Sequence, residues 1–134
     1  MKLMPAILFV AAGVVIGVVA TAASTGAAGE ELDPVKVAPT THKLLFENQY
    51  VKVIEAKIPP GVHDAKHSHK KGVLVFLADY DVKMTLFPSG ETKLVHRTAG
   101  TAVWSDPLVH ETVNVGKTAS DAIRIEIKDP SSAK

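Results

Sequence analysis

Cysteine is absent from the 134 residues, which excludes disulfide staples, thiolate metal ligands and a cysteine nucleophile together. An excess of one charge is lacking as well: 15 Lys and Arg stand against 14 Asp and Glu, for a formal net charge of +1. With no basic surplus to displace counterions from phosphates, no nucleic-acid partner is expected. Beyond residue 41 no stretch sustains a helical period, and no internal repeat is visible. The chemistry is left to six histidines and the carboxylates. The length suits one domain, and 46% hydrophobic residues suffice for a buried core without covalent staples.

The apolar residues are unevenly spread. Everything from Leu3 to Gly29 is uncharged, and it follows a basic Lys2. The small residues of Ala20-Thr21-Ala22 suit the pockets of a signal peptidase, so residues 1–22 read as a helical secretory signal. The same run is long enough to be a membrane anchor instead, the one way in which a membrane would become a partner. Either outcome exports the globular part, to a periplasm or the exterior. Loss of Lys2 with the signal brings the formal charge balance to zero. Residues 23–41 are small, polar and broken by Pro34 and Pro39, which reads as a linker or loosely attached arm. A domain over 42–130 and a short tail, 131–134, complete the division.

The domain reads as all-β. Strands are expected over 51–58, 73–78, 82–87, 92–97, 101–104, 110–115 and 122–128, punctuated by Pro59-Pro60-Gly61, Asp79-Tyr80-Asp81, Pro88-Ser89-Gly90, Ala99-Gly100 and Gly116 to Ser120. In the first strand Ile54, Ala56 and Ile58 share a face from which Lys52 departs. The 73–78 run is apolar throughout, as in a strand buried on both faces. In the last strand Ile123, Ile125 and Ile127 alternate with Arg124, Glu126 and Lys128, so the isoleucines are expected inside and the charges outside. Short strands at this spacing make a sandwich or a barrel.

His67 and His69 are one residue apart, which on an extended strand puts both imidazoles on one face. A third ligand has to come from a neighbouring strand, and His110 begins a later one. Gly61-Val62-His63-Asp64-Ala65-Lys66-His67-Ser68-His69 resembles the first motif of the cupin superfamily, in which a Gly precedes His-x-His by five residues. Gly100 through His110-Glu111-Thr112-Val113-Asn114 resembles the second, ending in His and Asn three residues apart. The resemblance covers residues 40–130 and points to a small single-domain member of the cupin_2 kind. It departs from the family at Val73 and Leu74, where a motif Glu would stand, and at Ser105-Asp106-Pro107, where the family has Pro-x-Gly.

The resemblance implies an antiparallel jelly-roll barrel, the double-stranded β-helix. It also implies a three-histidine site, His67, His69 and His110, for a divalent ion: Fe, Zn, Cu, Ni or Mn. Imidazole suits most of these, so the ligand set does not choose among them. The expected function is that of an exported small cupin binding a divalent metal; whether it is also an enzyme, an oxygenase or a relative of one acting on a small organic molecule, is left open by the residues. The alternatives are a non-enzymatic module that binds a small ligand or metal, and a structural barrel that has lost the ion. Pairing of two copies into a homodimer is implied by resemblance alone. His63 stands in the loop before His67 and is read as a solvated loop histidine or, alternatively, as a spare ligand or an acid/base; no other catalytic residue is apparent. His96 shares parity with Thr92 and Leu94 and is read as inward and structural. His42, at the edge of the domain, is expected to be exposed. Trp104 is read as a core aromatic or, alternatively, a cavity wall. Lys70 and Lys71 are solvated charge unless they overhang the mouth and draw in a carboxylate.

Overall fold

The computed structural model describes residues 32–129. The expected signal segment 1–22, most of the arm and the tail lie outside the described residues. What is described is a barrel of two antiparallel sheets. A short helix, α1 (Pro34–Val37), leads into β1 (His42–Glu47), β2 (Val51–Ile58), β3 (His63–His69), β4 (Gly72–Phe76) and β5 (Tyr80–Phe87). β6 (Thr92–Arg97), β7 (Ala102–Ser105), β8 (Leu108–Asn114) and β9 (Ser120–Ile127) follow. One sheet has the order β1-β2-β9-β4-β7 and the other β3-β8-β5-β6.

Most of the expected turns are where the chain reverses, but the one after β4 falls at residues 77–79, so Tyr80 and Asp81 belong to β5, and Ser120 already belongs to β9. Gly61 and Gly90 both have positive φ, 74° and 73°, a region in which a Cβ would be strained. The expected strands recur with shifts of a residue or two, and two were missed. β1 has no clear alternation, and the stretch from His63, read as a loop before His67, is already part of the strand β3.

The arm is not loose where it is described. Asp33 caps α1 by accepting from the Val35 amide at 3.0 Å, and its carboxylate pairs with Lys52. The Ser68 amide donates to the Leu32 carbonyl at 2.8 Å, so the arm lies along β3. Lys52, the departure from pattern on β2, is inward-facing because it has this carboxylate to meet.

Inside the barrel Phe76, Tyr80, Val82 and Ala122 form the buried apolar cluster, with Leu74, Met84, Val95 and Val103 packed against it. On β9 the expected orientation is reversed. Ser120, Ala122, Arg124 and Glu126 are buried, whereas Ile123, Ile125 and Ile127 are only partly so. The isoleucines lie on the outer face, in register with Val51 and Val53 on one side and with Val73 and Val75 on the other. The 73–78 run is accordingly half-buried across most of β4 instead of enclosed on both faces.

Candidate metal centre

The site begins with a β-bulge. β3 pairs with β8 so that Asp64 faces Thr112 and His67 faces His110, and between them Ala65 and Lys66 on one strand stand against Glu111 alone on the other. The extra residue lets Asp64 and His67, which would point to opposite faces of a regular strand, both turn inward. They are 2% and 1% exposed. Regular alternation then carries His69 inward as well, and the direct register with His67 brings in His110. The three predicted ligands are thus buried together. His67 Nε2 lies 3.0 Å from His69 Nε2 and 3.0 Å from His110 Nε2.

The opposite ring nitrogens decide what those atoms can do. His67 Nδ1–H donates to the Ala65 carbonyl, in the bulge, at 2.6 Å. His69 Nδ1 faces Glu126 Oε1 at 2.8 Å, and donates to it when that carboxylate is ionised. A carbonyl and a carboxylate only accept, so each Nδ1 carries the proton and each Nε2 keeps its lone pair. Two lone pairs then confront each other at 3.0 Å, and His110 Nε2 stands 3.0 Å from that of His67 on a further side. A cation relieves that arrangement; outer-shell acceptors behind imidazoles are how metal-binding histidines are oriented.

A proton is a poor candidate for the cation. Burial, reinforced by the Arg124 charge and the neighbouring imidazoles, holds His69 well below the usual histidine range. Burial chiefly, then His67, pushes His110 down to about 3. His67 is lowered too, mainly by burial, with the Asp64 carboxylate opposing in part. Neutral, buried, convergent imidazoles are the form in which histidine binds a metal.

A fourth imidazole was not expected there. His42 is 4% exposed, and it joins His67 and His69 in a group whose ligating atoms all lie within 4.8 Å of one another. Its ring meets that of His67 edge-on, with centroids 4.7 Å apart. Thr41 donates to Asp64 Oδ1 at 2.6 Å, and His42 Nδ1 lies 3.4 Å from the same oxygen. His42 therefore supplies a donor in a site whose motif Glu is replaced: of the two positions, Leu74 lines the cavity and Val73 is turned out.

The remaining candidates fall elsewhere. His63 is exposed on the first residue of β3, 3.5 Å from Glu111, and does not join the cluster. His96 points outward to Asp81 at 2.5 Å, and the inward face of β6 is Lys93, Val95 and Arg97. Trp104 is 56% exposed and donates to Asp106, at the cavity's edge and not in the core. Lys71 pairs with Asp129 and Lys70 lines a separate cleft, so neither overhangs the histidines. Asn114, the last residue of the second motif, is structural. Its side chain donates to the carbonyls of Ile58 and Thr118 and accepts from the Gly116 amide.

A cavity of about 270 Å³ opens from the cluster, bounded by His42, His67, His69, His110, Arg124 and an apolar wall that includes Phe76. Two antiparallel sheets curled into a barrel around buried histidines define a double-stranded β-helix with a candidate metal centre. The chain is a member of the cupin superfamily. Among solved structures it is similar to a cupin domain from Bordetella pertussis Tohama I, at 26% identity and a TM-score of 0.60, covering 66% of this chain and 92% of that one. An RmlC-like cupin family protein from Methanocaldococcus jannaschii shares the fold at 15% identity and a TM-score of 0.53, over 68% and 82% of the two chains. A conserved protein with a double-stranded β-helix domain from Klebsiella pneumoniae does so at 16% and 0.51, over 69% and 78%. No protein-family model and no curated protein sequence matches the chain.

Proposed function

We propose that this chain is an exported metal-dependent cupin, which binds a divalent ion through His67, His69 and His110, with His42 as a fourth imidazole, and acts on a small organic molecule in the adjoining cavity. The observation that carries the reading is the meeting of the His67 and His69 Nε2 atoms at 3.0 Å with both Nδ1 atoms engaged by acceptors. The charge-neutral nitrogen donor set fits Fe, Zn, Cu or Ni better than Mn, which favours oxygen ligands, and soft-metal thiolate chemistry is ruled out by composition. A divalent ion bound by imidazoles supplies Lewis acidity and, where it is iron, the activation of oxygen that would make this an oxygenase.

The chain's own residues do the rest. Glu126 and the Ala65 carbonyl fix the ring orientations. Phe76, Leu74, Val95 and Val103 keep the cavity wall apolar and limit water beside the imidazoles. The N-terminal run supports export, with the mature chain starting at about Ala23.

Elemental analysis of the purified mature protein against a His67→Ala/His110→Ala variant tests the ion. About one divalent ion per wild-type chain and none in the variant is expected; equal content in both overturns the ligand set. Oxygen uptake by the iron-loaded protein across diols, thiols and diketones then tests the enzyme. A second reading, a binder that does not turn its ligand over, is favoured by one observation: His63, the candidate acid/base, stands outside the cavity.

A further inference from the structure

Arg124 is the least explained residue of the interior. It is 3% exposed, faces inward from β9, and lines the cavity beside the histidines. Its Nη2 donates to the Lys70 carbonyl at 2.7 Å, which holds the side chain in place, but its Nε has no hydrogen-bond partner among the described residues. Nor does any carboxylate there come within ion-pair distance of it. The next inward residue of β9, Glu126, stands about 6.8 Å along the strand; its charge offsets part of the cost of burying Arg124, but its carboxylate is engaged with His69 on the side away from the cavity and leaves the Arg124 Nε unmet. A buried guanidinium with a free donor is costly to desolvate and is ordinarily found against an anion.

The other charges that face the cavity agree in sign. Lys93 and Arg97 line it from β6, at exposed positions. Against these three cations stands one carboxylate, Asp64, which is occupied by the Thr41 hydroxyl and the His42 ring. The cavity is therefore electropositive where it is polar and otherwise walled by Leu74, Phe76, Val95 and Val103. At about 270 Å³ it is smaller than the usual drug-sized pocket and suits a compact ligand.

We propose that the cavity takes a small organic acid, whose carboxylate is received by the Arg124 guanidinium beside the histidine cluster and whose apolar body packs against Phe76 and its neighbours. Arg is the side chain fitted to this, because its planar fork matches a carboxylate with two parallel donors where Lys offers a point charge. Lys93 and Arg97 at the opening draw the anion in. The inference deepens the metal-centre reading by naming the ligand class, yet it can be tested apart from the ion.

The test is calorimetric titration of the mature protein, as purified and after chelation, with benzoate and 3-methylbutanoate. Their neutral isosteres, benzamide and 3-methylbutanamide, serve as controls. At least one acid is expected to bind about tenfold or more tightly than its amide, a difference of about 1.4 kcal/mol, in the chelated protein as well. Arg124→Met and Arg124→Gln are expected to abolish that preference, and Arg124→Lys to retain part of it, while all three keep the wild-type metal content. A variant that fails to melt cooperatively is set aside in favour of the others in the series. Failure of both acids to bind, equal binding of acid and amide, or an undiminished preference in the folded Arg124→Met or Arg124→Gln protein overturns the proposal. Acid preference in a protein that takes up no metal would sink the metal reading and leave this one standing.

Discussion

Glu126 Oε1 lies 2.8 Å from His69 Nδ1, joining β9 of one sheet to β3 of the other across the barrel. The contact sets which nitrogen of His69 is left free for an ion, so Glu126 would act on a bound metal without touching it. Glu126→Gln keeps the shape and an accepting oxygen but removes the charge, and the amide's own donors allow the ring to turn its other tautomer inward. Metal affinity is expected to fall about tenfold, at the low end of the range for outer-shell changes. Competition against a chromophoric chelator measures this. Unchanged affinity would mean that the carboxylate does not orient the ring.

His42 and His63 separate a buried imidazole from an exposed one in the same protein. His42 lies within ligand range of His67 and His69, and His63 does not. His42→Ala is therefore expected to weaken metal binding by about tenfold or more, roughly 1.4 kcal/mol, and His63→Ala to leave it unchanged. Loss of His42 would also alter the visible spectrum of the cobalt-substituted protein, because the number of nitrogen donors changes. An identical spectrum in His42→Ala would remove His42 from the coordination sphere.

The contrast between these residues shows what the sequence could reveal. His67, His69 and His110 were legible because strand parity and cross-strand register follow from period-two geometry, and the two motifs fixed their order. Asp64 was hidden by the bulge, which breaks that period between it and His67. His42 sits on a strand with no readable alternation. Arg124 and Glu126 were misassigned for a different reason. Alternation on β9 correctly divided the residues into two faces, but the more apolar face was taken to be the inner one. The barrel interior houses a polar site, while isoleucines of β9 and valines of β2 and β4 cover the outside. One available signal was the company of Arg124: Ser120 and Ala122, small residues on the same parity, suit a crowded interior better than the three isoleucines do.

The depressed histidines predict how the metal-free protein responds to acid. His67, His69 and His110 all have folded pKa values below the ordinary 6.5, the last at about 3. Below pH 6.5 the unfolded chain binds protons that the folded chain does not, so stability rises with pH in this window. It is fully present above about 6.5 and is lost as pH falls toward the folded values, at up to about 1.4 kcal/mol per pH unit for each group. Asp64, lowered in spite of its burial by its hydrogen bonds and the neighbouring imidazoles, adds a further loss below its ordinary value of 3.8. Glu126 acts in the opposite sense, because burial raises its pKa, but it is one group against three histidines. Urea denaturation of chelated protein from pH 7.5 to 5 should show a falling midpoint, with a shallower fall in His110→Gln. A midpoint independent of pH would show that these imidazoles are not held neutral.

Gly72 tests whether the packing around the site is as close as the β4–β9 pairing requires. It is buried at the start of β4, between Glu126 on β9 and Ser105 on β7. A Cβ there would overlap the Ile125 carbonyl oxygen, and backbone in the middle of a sheet cannot step aside as a side-chain tip would. Gly61, by contrast, has open space around it and is special only for its positive φ. Gly72→Ala is expected to destabilise the fold by about 3 kcal/mol, the upper end of ordinary overpacking. Gly61→Ala should cost only about 1 to 2 kcal/mol, the penalty of a left-handed conformation. Because β9 carries Arg124 and Glu126, any displacement of that strand also moves the support of His69. Folded Gly72→Ala protein should therefore bind metal more weakly, whereas Gly61→Ala should bind it as the wild type does. Denaturant midpoints and chelator competition on the same preparations measure both effects. Equal stability of the two variants would show that β4 and β9 lie farther apart at Gly72 than described.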